Sequence, residues 1–155
     1  FKDERSIVLM AQNYLMLHQP KDAHEYLMML NKERIVDGSS AEGVFGKYYE
    51  EIGDDEKAEK AYLKSLAFEK TIPSLINLSQ FYEKKGETQK ALGLLQEAMS
   101  IDPDSDDVLY YHCLHYLDQR QYEKAYPLYL KLSNLYPKHR FVQFISNRLK
   151  AEGAK

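Results

Sequence analysis

Three groups of residues in this 155-residue chain have types and spacings that could carry chemistry. His112, Cys113 and His115 fall within four positions. Histidines at i and i+3 of a helix share a face, and imidazole beside a thiol suits zinc or a reactive cysteine. Asp102, Asp104 and Asp106 begin like a calcium loop. The sixth position is Asp107 rather than Gly, however, and the twelfth is Cys113 rather than Glu, so the pattern fails. Asn77-Leu78-Ser79 has the form of a glycosylation acceptor. Each group also has a plain structural reading. His112 and Cys113 read as a satisfied core histidine and a buried thiol. The aspartates read as a turn plus the acidic start of a helix, favoured by its dipole. The Asn-Leu-Ser triplet reads as mid-helix packing. No glycine-rich phosphate loop, nucleophile elbow or acid–base carboxylate pair occurs. The expectation is a protein that is not an enzyme and that needs no cofactor or metal.

Bulk properties narrow the class. Lys plus Arg number 21 and Asp plus Glu 24, a net charge of −3, without the basic excess of a nucleic-acid surface. No run approaches the roughly 18 apolar residues a membrane-spanning helix needs. A single cysteine excludes an internal disulfide framework. An apolar fraction of 44%, with 13 Tyr and 6 Phe, is ample for a packed core. The residues after Phe1 do not form a signal peptide, and the chain reads as a piece of a longer protein; its compartment is left open, with the cytoplasm favoured over the periplasm.

The elements that would position these residues emerge from a repeat. Ala23, Ala58, Ala91 and Ala125 are separated by 35, 33 and 34 residues. Tyr14, Tyr49, Tyr82 and Tyr116 stand nine positions before them, and the small residues Ala11, Gly46, Ser79 and Cys113 stand twelve before. Leu27, Tyr62, Leu95 and Tyr129 follow four positions later. Each unit has two apolar stripes of helical spacing. In the third, Leu75, Leu78, Ser79 and Tyr82 precede Gly86, and Ala91, Leu94, Leu95 and Ala98 follow it. Gly53 and Gly86 suit left-handed helix ends, Pro103 and Pro137 close their units, and Asp104 suits a helix N-cap. Ser39 and Glu42 suit a capping box. No strand is expected. Small residues let paired helices approach, and a hairpin unable to bury both faces must stack on its neighbours.

This pattern resembles the tetratricopeptide repeat, most clearly at Leu75, Leu78, Ser79, Tyr82, Gly86, Ala91, Leu95, Ala98 and Pro103. The fourth unit matches at Leu109, Cys113, Tyr116, Ala125, Tyr129 and Pro137. His18 replaces the turn glycine in unit one, and Glu42 stands where an apolar residue is usual in unit two. The resemblance implies an all-α, right-handed superhelical array of antiparallel helix pairs. The repeats run over about 4–38, 39–71, 72–105 and 106–137, with a capping helix over 138–151. The extra residue in the run Asn31 to Ser40 marks that segment as a distorted joint.

It further implies a protein-interaction scaffold whose first helices line a concave groove. By column that groove holds Val8, Leu9, Gln12, Leu15 and Met16, then Val44, Lys47, Glu50 and Glu51. Ile76, Asn77, Gln80, Glu83 and Lys84 come next, and Asp107, Tyr110, Tyr111, Leu114, Leu117 and Asp118 complete it. Tyr110, Tyr111 and Leu114 are the strongest candidate anchors, because tyrosine offers large contact area at low rotamer cost. The Lys/Asn clamp for a chaperone's terminal carboxylate is absent, since its columns hold Val8 and Gln12, and Ile76 and Gln80. The expected partner is a protein or peptide with apolar anchors, not a nucleic acid. The alternative is a structural or oligomerisation module. The first helix is apolar nearly all round, which suggests cover by upstream repeats or by a second copy.

Overall fold

The computed structural model describes residues 3–32 and 38–151. Among them are nine helices and no strand: α1 (Glu4–Met16), α2 (Pro20–Lys32), α3 (Gly38–Glu51), α4 (Asp55–Phe68), α5 (Ile72–Lys84), α6 (Thr88–Ile101), α7 (Asp106–Asp118), α8 (Tyr122–Leu135) and α9 (Val142–Ala151). The chain divides into two compact units, Phe1–Phe81 and Tyr82–Lys155. The joint expected within Asn31 to Ser40 falls largely on residues 33–37, outside the described residues, as does the Ser39 side chain of the expected capping box.

One turn, used four times, explains the Tyr-to-Ala spacing. The carbonyls of Tyr14, Tyr49, Tyr82 and Tyr116 each accept from the amide five residues on, at 2.8–2.9 Å. The carbonyls of those fifth residues (Gln19, Asp54, Glu87 and Gln121) then accept from the amides of Ala23, Ala58, Ala91 and Ala125, opening the second helix. Five plus four gives nine. The outer bond is the 6→1 link of a Schellman cap, which needs a left-handed residue between the helices. Gly53 and Gly86 fill it at φ 78° and 75°. His18 and Arg120 fill it at 54° and 56°, where a side chain is strained. Arg120→Gly is therefore expected to stabilise the chain by about 1 kcal/mol despite glycine's greater chain entropy, seen as a higher urea midpoint.

The small-residue and alanine columns are the crossing points. Ala11, Cys113 and all four column alanines are fully buried, and Ser79 nearly so. A Cβ at Gly46 would stand 2.5 Å from the Tyr62 ring, so only glycine fits. Tyr62, itself buried, donates to Glu50 Oε2 at 2.8 Å. In the first unit the core joins Ile7, Val8, Ala11 and Leu15 to Ala23, Leu27, Leu30, Ala41 and Val44. In the second, Leu109, Tyr110, Cys113, Leu117, Ala125 and Leu132 pack with Ile145 and Leu149 of α9.

Three local expectations are corrected. The N-cap of α7 is Ser105, whose Oγ accepts from Val108 N, and not Asp104. Asp104 instead pairs with Lys131 at 2.7 Å, and its carbonyl accepts from the Tyr136 hydroxyl. The last helix begins at Val142, not 138, because the chain first makes turns through His139. His112 is buried, but it is not satisfied. Neither ring nitrogen has a hydrogen-bond partner, and its ring stacks on Tyr116 at 5.0 Å.

Candidate functional site

In the first unit, two neighbouring concavities lie along the first helices of the pairs. One, of about 340 Å³, is lined by Gln12 of α1, by Gly43, Val44 and Lys47 of α3, and by Asn77 of α5. Ser65, Glu69, Thr71 and Ser74 form its far wall. The other, of about 430 Å³, is lined by Glu4, Arg5, Val8, Leu9, Gln12 and Ser40. Gln12 borders both. Six of the residues assigned to a groove by column, Val8, Leu9, Gln12, Val44, Lys47 and Asn77, thus meet on one surface.

The site's geometry follows from local sequence. Gly43 leaves the floor low: a Cβ there would reach ordinary contact with Asn77 Nδ2 at 3.5 Å and Ser65 Oγ at 3.6 Å. Thr71 and Ser74 cap α5 reciprocally. Ser74 N donates to Thr71 Oγ1 at 3.2 Å and Thr71 N donates to Ser74 Oγ at 3.0 Å. That fixes the wall from which Asn77 extends one turn later. Column reasoning missed Gly43, Ser65, Thr71 and Ser74. Only the Thr-x-x-Ser spacing was a readable signal.

The remaining assigned residues are distributed differently. Leu15 and Ile76 are buried, Gln80 is half-buried, and Lys84 is exposed. Glu51 is exposed, with an oxygen 3.2 Å from His18 Nδ1. In the second unit, Tyr110 is only 8% exposed. Its ring lies parallel to Phe141 at 4.2 Å and edge-on to Tyr111 at 4.8 Å. Tyr111 and Leu114 are half-buried against the same core, and Leu117 is fully buried. Leu117 and Asp118 nonetheless border a polar concavity with Arg120, Tyr122 and Arg148, where Arg148 donates to Asp118 at 2.8 Å.

The chemical candidates are internal. The Cys113 thiol donates to the Ala125 carbonyl at 3.4 Å, and burial pushes its pKa up to about 12, so it is a poor nucleophile. His115 is buried against the Glu83 carboxylate. The Ser79 hydroxyl is committed to the Ile76 carbonyl at 2.8 Å inside α5. Among the described residues no three His, Cys, Asp or Glu side chains gather as a metal site, and no helix is long and apolar enough to cross a membrane.

Residues 74–109 match the family model of the tetratricopeptide repeat. The chain has the tetratricopeptide-repeat fold. A thermophilic tetratricopeptide-repeat protein of Thermus thermophilus is similar at 18% identity over 96% of this chain and 82% of its own, with a TM-score of 0.84. Pseudomonas aeruginosa pilF is 18% identical over 96% of this chain and 68% of its own, with a TM-score of 0.77. A tetratricopeptide-repeat protein from Parabacteroides merdae is 20% identical over 97% of this chain, with a TM-score of 0.72. This chain spans 60% of that protein's length. No curated protein matches in sequence. Within the units α1 packs on α2, α3 on α4 and α7 on α8, and both concavities of the first unit lie along α1 and α3.

Proposed function

We propose that this chain is a protein-interaction module that holds an extended segment of a partner protein on the first unit, along α1, α3 and the start of α5. The carrying observation is the pair of concavities that share Gln12 and Ser40, where amides (Gln12, Asn77) stand beside exposed, apolar Leu9, over a floor to which the buried Val8 and Val44 contribute. A carboxamide both donates and accepts, so it can satisfy the main chain of an extended peptide, while the apolar patches take alternate side chains. The preferred ligand is a mixed apolar segment, not a bare carboxylate terminus, because no clamp is present in the columns that would form one.

The test is selection of peptides from a random display library on the immobilised chain, followed by affinity measurement. Gln12→Ala with Asn77→Ala exchanges two helical amides for a good helix former, so the fold is expected to survive, as circular dichroism will verify. Loss of two ligand hydrogen bonds is expected to weaken the selected peptides by about tenfold or more. Equal affinity of the folded double variant would place binding elsewhere.

A further inference from the structure

Counted from the small residue of each first helix, the position three before it holds Val8 in α1, Gly43 in α3, Ile76 in α5 and Tyr110 in α7. Val8, Ile76 and Tyr110 are 7%, 5% and 8% exposed, so three helices close this position with a buried apolar or aromatic side chain. In α3 the side chain is missing, and the concavity of about 340 Å³ adjoins the space it leaves.

Neither backbone nor packing accounts for the glycine. Among the described glycines only Gly53 and Gly86 are left-handed. Gly43 sits inside α3, where glycine is a poorer helix former than alanine. Gly46, one turn on, is required, because a Cβ there would meet the Tyr62 ring at 2.5 Å. A Cβ at Gly43 would make only ordinary contacts, at 3.5 Å with Asn77 Nδ2 and 3.6 Å with Ser65 Oγ. What the glycine leaves open is access to those two polar groups.

We infer that the gap at Gly43 is a socket for one carboxamide side chain, Asn or Gln, of the bound segment, and that Gly43 is the residue that selects it. The socket rests on the first unit's holding an extended segment, as proposed, and adds which side chain of that segment is preferred. Asn77 offers an amide with donors and an acceptor, and a serine hydroxyl such as that of Ser65 can accept whatever else it donates to. A carboxamide carries donor and acceptor side by side and can satisfy both. A carboxylate brings acceptors alone, an ammonium donors alone, and an alkyl side chain neither. The charged lining residues, Lys47 and Glu69, are exposed and opposite in sign, so the socket has no net charge to attract an ion.

The test uses the whole chain and peptides selected on it from a random display library. Wild-type binders are expected to share one position restricted to Asn or Gln, and exchange of that residue for Leu should weaken binding about tenfold. Gly43→Ala fills the socket with a methyl group at ordinary contact distance. Its urea midpoint should rise, and the same peptides should bind about tenfold more weakly. The Leu exchange in the peptide should then have almost no further effect, as expected for two groups that touch. Gly93→Ala is the control: nothing lies within 4 Å of a Cβ there, so it should raise the midpoint and leave binding unchanged. Binders without a carboxamide position, or a Leu exchange as costly on Gly43→Ala as on the wild type, overturn the socket. If those peptides still depend on Gln12 and Asn77, peptide binding by the first unit stands without it. A library that yields no binder, or binders indifferent to Gln12→Ala with Asn77→Ala, overturns both.

Discussion

Tyr110→Ala is expected to destabilise the second unit by about 3–5 kcal/mol, the loss typical of deleting a buried aromatic ring. The ring is sandwiched by Phe141 and Tyr111, and Phe141 stands at the turn that leads into α9. Removing it opens a cavity beneath α9 and frees the segment that closes the core. Urea unfolding followed by near-ultraviolet circular dichroism reads both effects, because lost tyrosine asymmetry reports loosened packing. Tyr110→Phe keeps the stack and is expected to remain close to the wild type. If the alanine variant unfolded at the wild-type midpoint yet lost a ligand, Tyr110 would be a binding anchor and not a keystone of the core.

Acid should weaken the same unit in a window set by His112. Burial, aided by the neighbouring His115, lowers its pKa from 6.5 to about 4. An imidazole kept neutral in the folded chain charges more readily once unfolded, so the unfolded state binds more protons between those two values. The His112 contribution is complete above pH 6.5, falls as pH drops through the window, and levels below about 4. The interval from 6.5 to about 4 corresponds to a loss of about 3 kcal/mol, at roughly 1.4 kcal/mol per pH unit. The register gives the control: Phe45 and Leu78 occupy the same position in α3 and α5. His112→Leu is expected to hold or raise stability at pH 7, since two unpartnered nitrogens leave the interior, and to flatten the slope between pH 6.5 and about 4. An unchanged slope would assign the acid sensitivity to another group. Asp3 and Asp54 also have lowered pKa values, each bonded to an amide of its own helix start, but they titrate below this window.

What was legible in the residues, and what was not, follows the range of the interactions involved. The tyrosine, alanine and small-residue columns specified the helix pairs because each is tied to one turn of fixed hydrogen bonding. Arg120 was not recognised as a left-handed residue, since only its place in the turn, and nothing in its chemistry, marks it. Asp104 and Ser105 are both good caps, and chemistry alone could not choose between them. His112 was assigned to the core correctly but credited with partners, because spacing places a residue on a face without showing whether an acceptor waits there. The same blindness applied at the groove. Column rules brought Gln12, Val44, Lys47 and Asn77 together, yet treated Tyr110 and Leu117 as surface, where the turn before α9 brings Phe141 onto Tyr110. The far wall of the smaller concavity escaped because Ser65, Thr71 and Ser74 come from a helix end and a turn, outside any column.

The fourfold turn also bears on how the chain reaches its structure. Its bonds close loops of five residues, and the side-chain bonds His18–Glu51, His115–Glu83, Tyr136–Asp104 and Arg148–Asp118 span 30–33 residues. Contacts of this reach close loops of about one repeat. Low contact order of this kind goes with folding in microseconds to milliseconds. Each hairpin can form before its neighbour, so order can start at more than one place and spread by nearest-neighbour docking. The strained left-handed residues, His18 and Arg120, sit in the turns of the first and last pairs, and the unstrained glycines in the two between. Hairpin closure is thus least strained at Gly53 and Gly86, which makes the central turns the natural starting points for assembly.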